Sequence, residues 1–279
     1  MKQRFYKMHG IGNDYIYFDC FGKELERPEE KAVQLSDRHF SVGGDGIILV
    51  CKSEIADGKM RMFNADGSEG KMCGNGIRCV GKFLYEIKGI QKEVLTVETL
   101  SGIKTLYIDA QDGKVRSVTV DMGAAELTPE RIPAKFSGKT AIDVPLEVNG
   151  ITEQVTCVSM GNPHCVIFGG DPYLLDLETI GPMYENHTVF PESVNTEFVR
   201  VLKRNEIQMR VWERGSGETW ACGTGACAAA VASVLNGYCG KNEEILVHLR
   251  GGDLTVKYTD ETVFMTGGAE FAFTGEVEI

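Results

Sequence analysis

Met72-Cys73-Gly74-Asn75-Gly76 and Ala221-Cys222-Gly223-Thr224-Gly225 are two copies of one motif, with their cysteines 149 positions apart. The same spacing of 149 sets Gly12-Asn13 against Gly161-Asn162, Tyr15 against His164, Asn64 against Glu213, Glu69 against Glu218, and Gly102 against Gly251. A single CGxG is a weak signal, but two copies in register with a Gly-Asn pair well upstream point to a duplicated chain. The join is expected near Met122-Gly123, giving one domain over residues 1–122 that carries Cys73 and a second over 123–279 that carries Cys222. A pseudo-twofold pair of domains would place matched residues on the two sides of a shared cleft, and clefts between domains favour ligands.

Outward from each motif the pattern becomes helical. Ile77, Val80, Leu84 and Ile87 repeat with the spacing of an amphipathic helix, which Gly89 would stop. Ala226 to Leu235 is apolar on nearly every side, the mark of a helix buried all round. Each cysteine would then sit at a helix N-terminus. Elsewhere strands dominate: Ile47–Val50, Val94–Val97, Val115–Val120, Glu197–Val201, Ile207–Val211 and Leu254–Tyr258, separated by turn signals such as Asp57-Gly58, Asp112-Gly113 and Asn149-Gly150. The expected class is α+β, with two duplicated domains that each wrap mostly antiparallel sheet around a central helix.

Composition narrows the function. The 279 residues are 43% hydrophobic, enough for well-filled cores, and the formal charge of -11 lacks the basic excess that nucleic acid or an anionic membrane surface requires. A small-molecule ligand is the natural expectation. The first residues lack the apolar run of a signal peptide, and no segment has the length of a membrane helix, so a cytoplasmic location is expected. Nine cysteines in a chain of this length suggest reduced thiols rather than a disulfide scaffold.

A thiol at a helix N-terminus lies beside unpaired backbone N–H groups and the positive end of the helix dipole, so its pKa is expected to fall toward neutrality. Gly74, Gly76, Gly223 and Gly225 leave those amides uncovered, and two helix ends aimed at one point suit a carboxylate. Removing an α-proton from an amino acid spreads charge into that carboxylate, so donors aimed there favour the transition state. Inversion takes a proton from one face and returns one to the other, which needs a base and an acid on opposite sides. Cys73 and Cys222 meet that need without a cofactor. Metal binding is disfavoured, because Cys73 and Cys79, or Cys222 and Cys227, are spaced off a common helix face. Acyl transfer would need a histidine for each cysteine, whereas the Tyr15/His164 pair supplies one. A non-catalytic amino-acid-binding module would not need a cysteine at both helix ends. The same proximity would let the two catalytic sulfurs join as a disulfide under oxidant.

The stretches His9 to Tyr15, Phe63 to Glu69, Met72 to Cys79, Met160 to His164 and Glu213 to Ala226 resemble the diaminopimelate epimerases, and the match spans both halves of the chain. The resemblance implies a pyridoxal-phosphate-independent isomerase interconverting LL- and meso-diaminopimelate for lysine and peptidoglycan precursor synthesis. It also implies that the last strand, about 265–279, returns to the first domain. Carried onto matching positions, Cys73 and Cys222 become the acid/base pair, and Gly74-Asn75 and Gly223-Thr224 the cradle of the reacting carboxylate. His164 and Glu213 would orient the ammonium group and tune the thiols. Asn13, Asn64, Asn162, Asn195 and Arg214 would hold the remote amino-acid end, with Arg214 forking onto its carboxylate. Some members carry glutamine where this chain has Gly46, so that contact is either absent here or replaced. The alternative substrate is another amino acid, such as histidine, handled by the same two thiols. A homodimer is compatible with the sequence.

Overall fold

The computed structural model describes residues 2–278, which form two compact units, 2–121 with 266–278, and Met122–Met265. In the first unit the strands are β1 (Lys2–Gly10), β2 (Asn13–Cys20), β3 (Gly46–Cys51), β4 (Gly58–Asn64), β5 (Glu69–Gly70), β6 (Val94–Thr99), β7 (Gly102–Gln111) and β8 (Lys114–Asp121), with helices α1 (Pro28–Ser36) and α2 (Gly74–Glu86). The second unit carries β9 (Val144–Val148), β10 (Ile151–Ser159), β11 (Pro163–Phe168), α3 (Leu177–Glu185), β12 (Asn195–Lys203), β13 (Glu206–Glu213), β14 (Gly217–Thr219), α4 (Gly223–Leu235), β15 (Glu244–Leu249) and β16 (Gly252–Tyr258). The chain then runs through β17 (Val263–Gly267) to β18 (Glu270–Glu278), which pairs antiparallel with β1, placing Lys2 opposite Glu278. No helix among the described residues is long and apolar enough to cross a membrane.

The class is α+β, and the strand order repeats. The first unit runs β18-β1-β2-β3-β4-β6-β7-β8 and the second β9-β10-β11-β12-β13-β15-β16. Most neighbours are antiparallel, but β2–β3, β4–β6, β11–β12 and β13–β15 are parallel. Pro28–Ser36 and Leu177–Glu185, and likewise Gly74–Glu86 and Gly223–Leu235, keep the offset of 149 residues. Beyond the central helices the register slips by one. Gly102 stands opposite Thr99, and it is Gly252, not Gly251, that stands opposite Leu249.

Each sheet is covered on both faces, which explains the continuous apolar run at Ile47–Val50. Ile16, Phe18, Ile47 and Leu49 pack with Ala32 and Leu35 of α1 on one side, while Ile48 lies on the other against the start of α2. In the second unit Leu177 and Tyr184 of α3 join Cys165, Ile167 and Phe198.

The central helix α2 departs from its sequence pattern. Ile77, Val80 and Leu84 are buried, but so are Arg78 and Lys82, whereas Ile87 lies past the helix and is 39% exposed. The reason is tertiary: the returning C-terminal segment covers the face that periodicity assigns to solvent. The Arg78 guanidinium donates to Gly74 O, Asn75 Oδ1 and Gly268 O, and the Lys82 ammonium lies over the Phe271 ring. Each charge has partners there, without which burial would be costly.

Candidate active site

Cys73 is the N-cap of α2. Its extended backbone, φ −126° and ψ 120°, swings Sγ back to accept the Gly76 N–H at 3.3 Å. Cys222 caps α4 in the same way, with φ −113°, ψ 108° and the Gly225 N–H at 3.3 Å. The first internal helix bonds run from Ile77 N to Cys73 O and from Ala226 N to Cys222 O, so the amides at positions 74, 75, 223 and 224 precede the helical ladder. The glycine three residues after each cysteine has a steric reason. A β-carbon at Gly76 would stand 2.7 Å from Ile48 Cδ1, and one at Gly225 would stand 2.7 Å from Glu197 Oε1. Positions 48 and 197 are themselves 149 apart. Both cysteines are free thiols.

Each cysteine loop is fixed by a repeated ion pair. Arg61 Nε donates to Glu69 Oε1 at 2.8 Å across β4 and β5, and Arg210 Nε donates to Glu218 Oε1 at 2.8 Å across β13 and β14. The duplicated glutamates of the sequence are therefore loop anchors.

In the first unit the Cys73 thiol donates to Asn13 Oδ1 at 3.2 Å, and Asn13 Nδ2 donates to Asp45 Oδ2 at 2.7 Å. Tyr15, buried beside this pair, is held protonated: burial pushes its phenol well up, and the neighbouring Cys73 and Asp45 push the same way. Asn64 lies opposite Gly46 and donates to Ser68 Oγ at 3.0 Å. Gly46 cannot carry a glutamine with this backbone. A β-carbon there would be 2.1 Å from Phe63 O and 2.9 Å from the Tyr15 ring, at φ +155°.

The second unit collects more polar groups. Asn162 Nδ2 donates to Thr224 Oγ1 at 3.3 Å, and Thr224 Oγ1 is 3.5 Å from Cys222 Sγ. His164 is fully buried, with Nε2 3.1 Å from Asn162 Oδ1 and Nδ1 2.7 Å from Glu197 Oε1. Its ring thus reaches the Cys222 region through Asn162. Asn195, 2% exposed, donates to Pro163 O at 3.1 Å and accepts the Arg214 N–H at 2.9 Å. The half-buried Arg214 guanidinium donates to Glu192 O at 2.8 Å, and Glu213 accepts from the Thr219 hydroxyl.

The expected fall in thiol pKa does not hold at Cys222. Burial raises it well above the ordinary thiol range, and the charges that Glu213 and Glu197 carry when ionised raise it further, outweighing the hydrogen bonds from Thr224 and Gly225. Desolvation of the thiolate outweighs the helix end here. Two groups beside the cysteines escaped the sequence reading. Tyr15 was already paired with His164 by the repeat, which was a usable signal. Glu197 gave none, because in sequence it is one polar residue in a strand, and its matched position holds isoleucine.

Comparison with known proteins decides the family. The model of the diaminopimelate epimerase family matches residues 5–128 and 156–272. The chain belongs to the diaminopimelate epimerase family. The diaminopimelate epimerase of Acetivibrio thermocellus is 52% identical over 278 residues, covering 99% of both chains. That of Methanococcus maripaludis is 49% identical over 278 residues, 99% of this chain and 100% of its own. Solved structures share the fold at low identity: a PhzF-family protein from Bacillus anthracis has a TM-score of 0.71 at 19% identity, with full coverage of both chains. A hydroxyproline epimerase from Agrobacterium vitis has a TM-score of 0.71 at 14% identity, over 99% of this chain and 92% of its own. Diaminopimelate epimerases thus match this chain over nearly its whole length, both cysteine motifs included.

Proposed function

We propose that this protein is an isomerase that converts LL-diaminopimelate to meso-diaminopimelate by a two-thiol, cofactor-independent route, serving lysine and peptidoglycan precursor synthesis. The observation that carries the reading is the pair of cysteines that cap matched helices in a chain about half identical to diaminopimelate epimerases along its full length. One thiolate takes the α-proton, and the other thiol gives its proton to the opposite face. The roles exchange in the reverse direction, so the two cysteines differ by one proton before and after each turnover. Charge that develops on the substrate carboxylate meets the backbone amides at Gly74-Asn75 and Gly223-Thr224.

Glu213 suits the substrate ammonium. A cation held there would cancel the Glu213 charge that raises Cys222, so substrate binding itself would make that thiol easier to ionise. Arg214 would fork onto the distal carboxylate, with its backbone fixed by Asn195. Asn13, Asn64 and Asn162 would complete the remote contacts. We place the reaction in the cytoplasm, with a small-molecule substrate and no nucleic-acid partner.

The test incubates the purified protein with LL-diaminopimelate, histidine or proline in heavy water and follows inversion and α-deuteration. Inversion with one deuterium gained by diaminopimelate alone supports the proposal. Inversion of histidine with diaminopimelate untouched would replace it with the racemase reading.

A further inference from the structure

A carboxylic acid lies fully buried beside Cys222, outside the set of residues the reaction itself requires. Glu197 on β12 has Oε1 2.7 Å from His164 Nδ1, and both side chains are fully buried. Its other oxygen, Oε2, has no hydrogen-bond partner among the described residues. The first unit has Ile48 at the matched position, so the sheet can fill this space with an apolar side chain, and the acid is specific to the Cys222 half.

Proton counting fixes what the pair does. His164 Nε2 faces Asn162 Oδ1, an acceptor, so Nε2 carries a proton. One further proton lies between Nδ1 and Glu197 Oε1, whichever atom holds it. A full carboxylate would leave Oε2 charged, buried and without a donor, which is costly. The proton therefore resides on Glu197, leaving a neutral imidazole protonated at Nε2. From there the donors run from His164 Nε2–H to Asn162 Oδ1 (3.1 Å) and from Asn162 Nδ2–H to Thr224 Oγ1 (3.3 Å), which leaves the Thr224 hydroxyl proton for Cys222 Sγ (3.5 Å) whenever that sulfur is a thiolate and can only accept.

We propose that Glu197 is a positioning residue which, as a neutral acid bonded to His164 Nδ1, fixes the histidine tautomer and aims a hydrogen-bond chain through Asn162 and Thr224 at the Cys222 sulfur. Burial raises the Glu197 carboxyl above the ordinary range, with Glu213 adding to the rise and His164 opposing it, in keeping with a protonated acid. The titratable groups around it are His164 and Cys165 on β11, Glu213 on β13 and Cys222 at the start of α4. A neutral Glu197 adds no negative charge beside Cys222, so the chain stabilises the thiolate when it forms.

The proposal rests on Cys222 being a working thiol, and its test separates the two. Glu197→Met removes the group bonded to Nδ1 at similar volume, and Glu197→Gln restores an uncharged donor to Nδ1. For each protein, iodoacetamide alkylation of Cys222 against pH, read by peptide mass, is measured beside kcat, KM and the melting curve. Glu197→Met should lower kcat about 10–100-fold with little change in KM, and raise the alkylation midpoint by about one pH unit. Glu197→Gln should recover most of both. An unshifted midpoint in folded Glu197→Met would overturn the proposal whatever the turnover. Equal loss in Glu197→Gln and Glu197→Met would also overturn it, since the carboxylate charge would then be the active feature. The midpoint is read without substrate, so a failed substrate assignment leaves this outcome intact.

Discussion

Replacing Cys73 tests two of its roles at once, because the geometry gives them different chemical requirements. Its Sγ accepts the Gly76 N–H at 3.3 Å as a helix cap and donates to Asn13 Oδ1 at 3.2 Å. Cys73→Ala removes both. Losing a cap costs about 1 kcal/mol, and leaving a half-buried amide oxygen without its donor costs about 1 kcal/mol more. About 2 kcal/mol corresponds to a fall in Tm of roughly 4–8 °C for a chain of this size. The catalytic loss should be far larger, about 10²–10⁴-fold in kcat, the usual worth of one positioned acid or base. Cys73→Ser separates the effects, since a hydroxyl caps a helix well but is too weakly acidic to supply the anion. Serine should therefore return Tm to near the wild-type value while epimerisation stays as low as in the alanine variant. Cys222 remains in both variants, so deuterium should still wash into the α-position of one diastereomer without inversion. Circular dichroism melting, optical assay of inversion and mass-detected exchange measure the three quantities. Epimerisation by Cys73→Ser within a few-fold of wild type would refute the two-thiol reasoning, and an unchanged Tm in Cys73→Ala would refute the capping argument.

Three further outcomes follow from named contacts. Arg214→Lys keeps charge but loses the fork, so the KM for diaminopimelate should rise about tenfold with kcat changed less; equal KM values would remove Arg214 from substrate recognition. Gly46→Ala forces a β-carbon to 2.1 Å from Phe63 O and should destabilise the protein by more than about 2 kcal/mol, visible in urea melts, whereas an unaltered midpoint would contradict that backbone. Arg210→Met should cost about 2 kcal/mol, because Arg210 and Glu218 are 12% and 10% exposed, whereas Arg61→Met at the matched pair, 26% and 30% exposed, should cost under about 1 kcal/mol. The Arg210 hydrogen bond is the main cause that lowers the Glu218 carboxyl below 4.5, so the pair stabilises the fold above that pH and loses its effect as pH falls through the folded value. The gap between wild type and Arg210→Met should accordingly narrow below pH 4.5, and a gap that is constant down to pH 2 would show that the pair is not the cause.

Local rules reached far in this chain because the duplication writes each key feature twice. The CGxG copies fixed where both central helices begin, since a cysteine with glycine three positions on can fold its sulfur back only at a helix start. The strands at Ile47–Val50, Val94–Val97 and Ile207–Val211 were legible from apolar pattern and turn residues. β1 and β2 were not, as their mix of Lys, Asp, Tyr and His lacks period-2 alternation, and it is pairing with β18 and β3 that makes them strands. α1 and α3 were also missed, being nine residues each with few apolar positions.

Tertiary structure alone decided the electrostatics. Arg78 and Lys82 look like the wet face of a helix until a strand from the far end of the chain covers them. Cys222 looks like an activated thiol until burial and the Glu213 carboxylate are weighed against the helix end. Glu197 is an ordinary strand residue in the sequence, and only the packing of β12 beneath the glycine of α4 places its acid on His164. Helix starts and strand periodicity depend on near neighbours in the chain. Desolvation depends on which distant atoms exclude water, and that is set only when the sheets close around their helices.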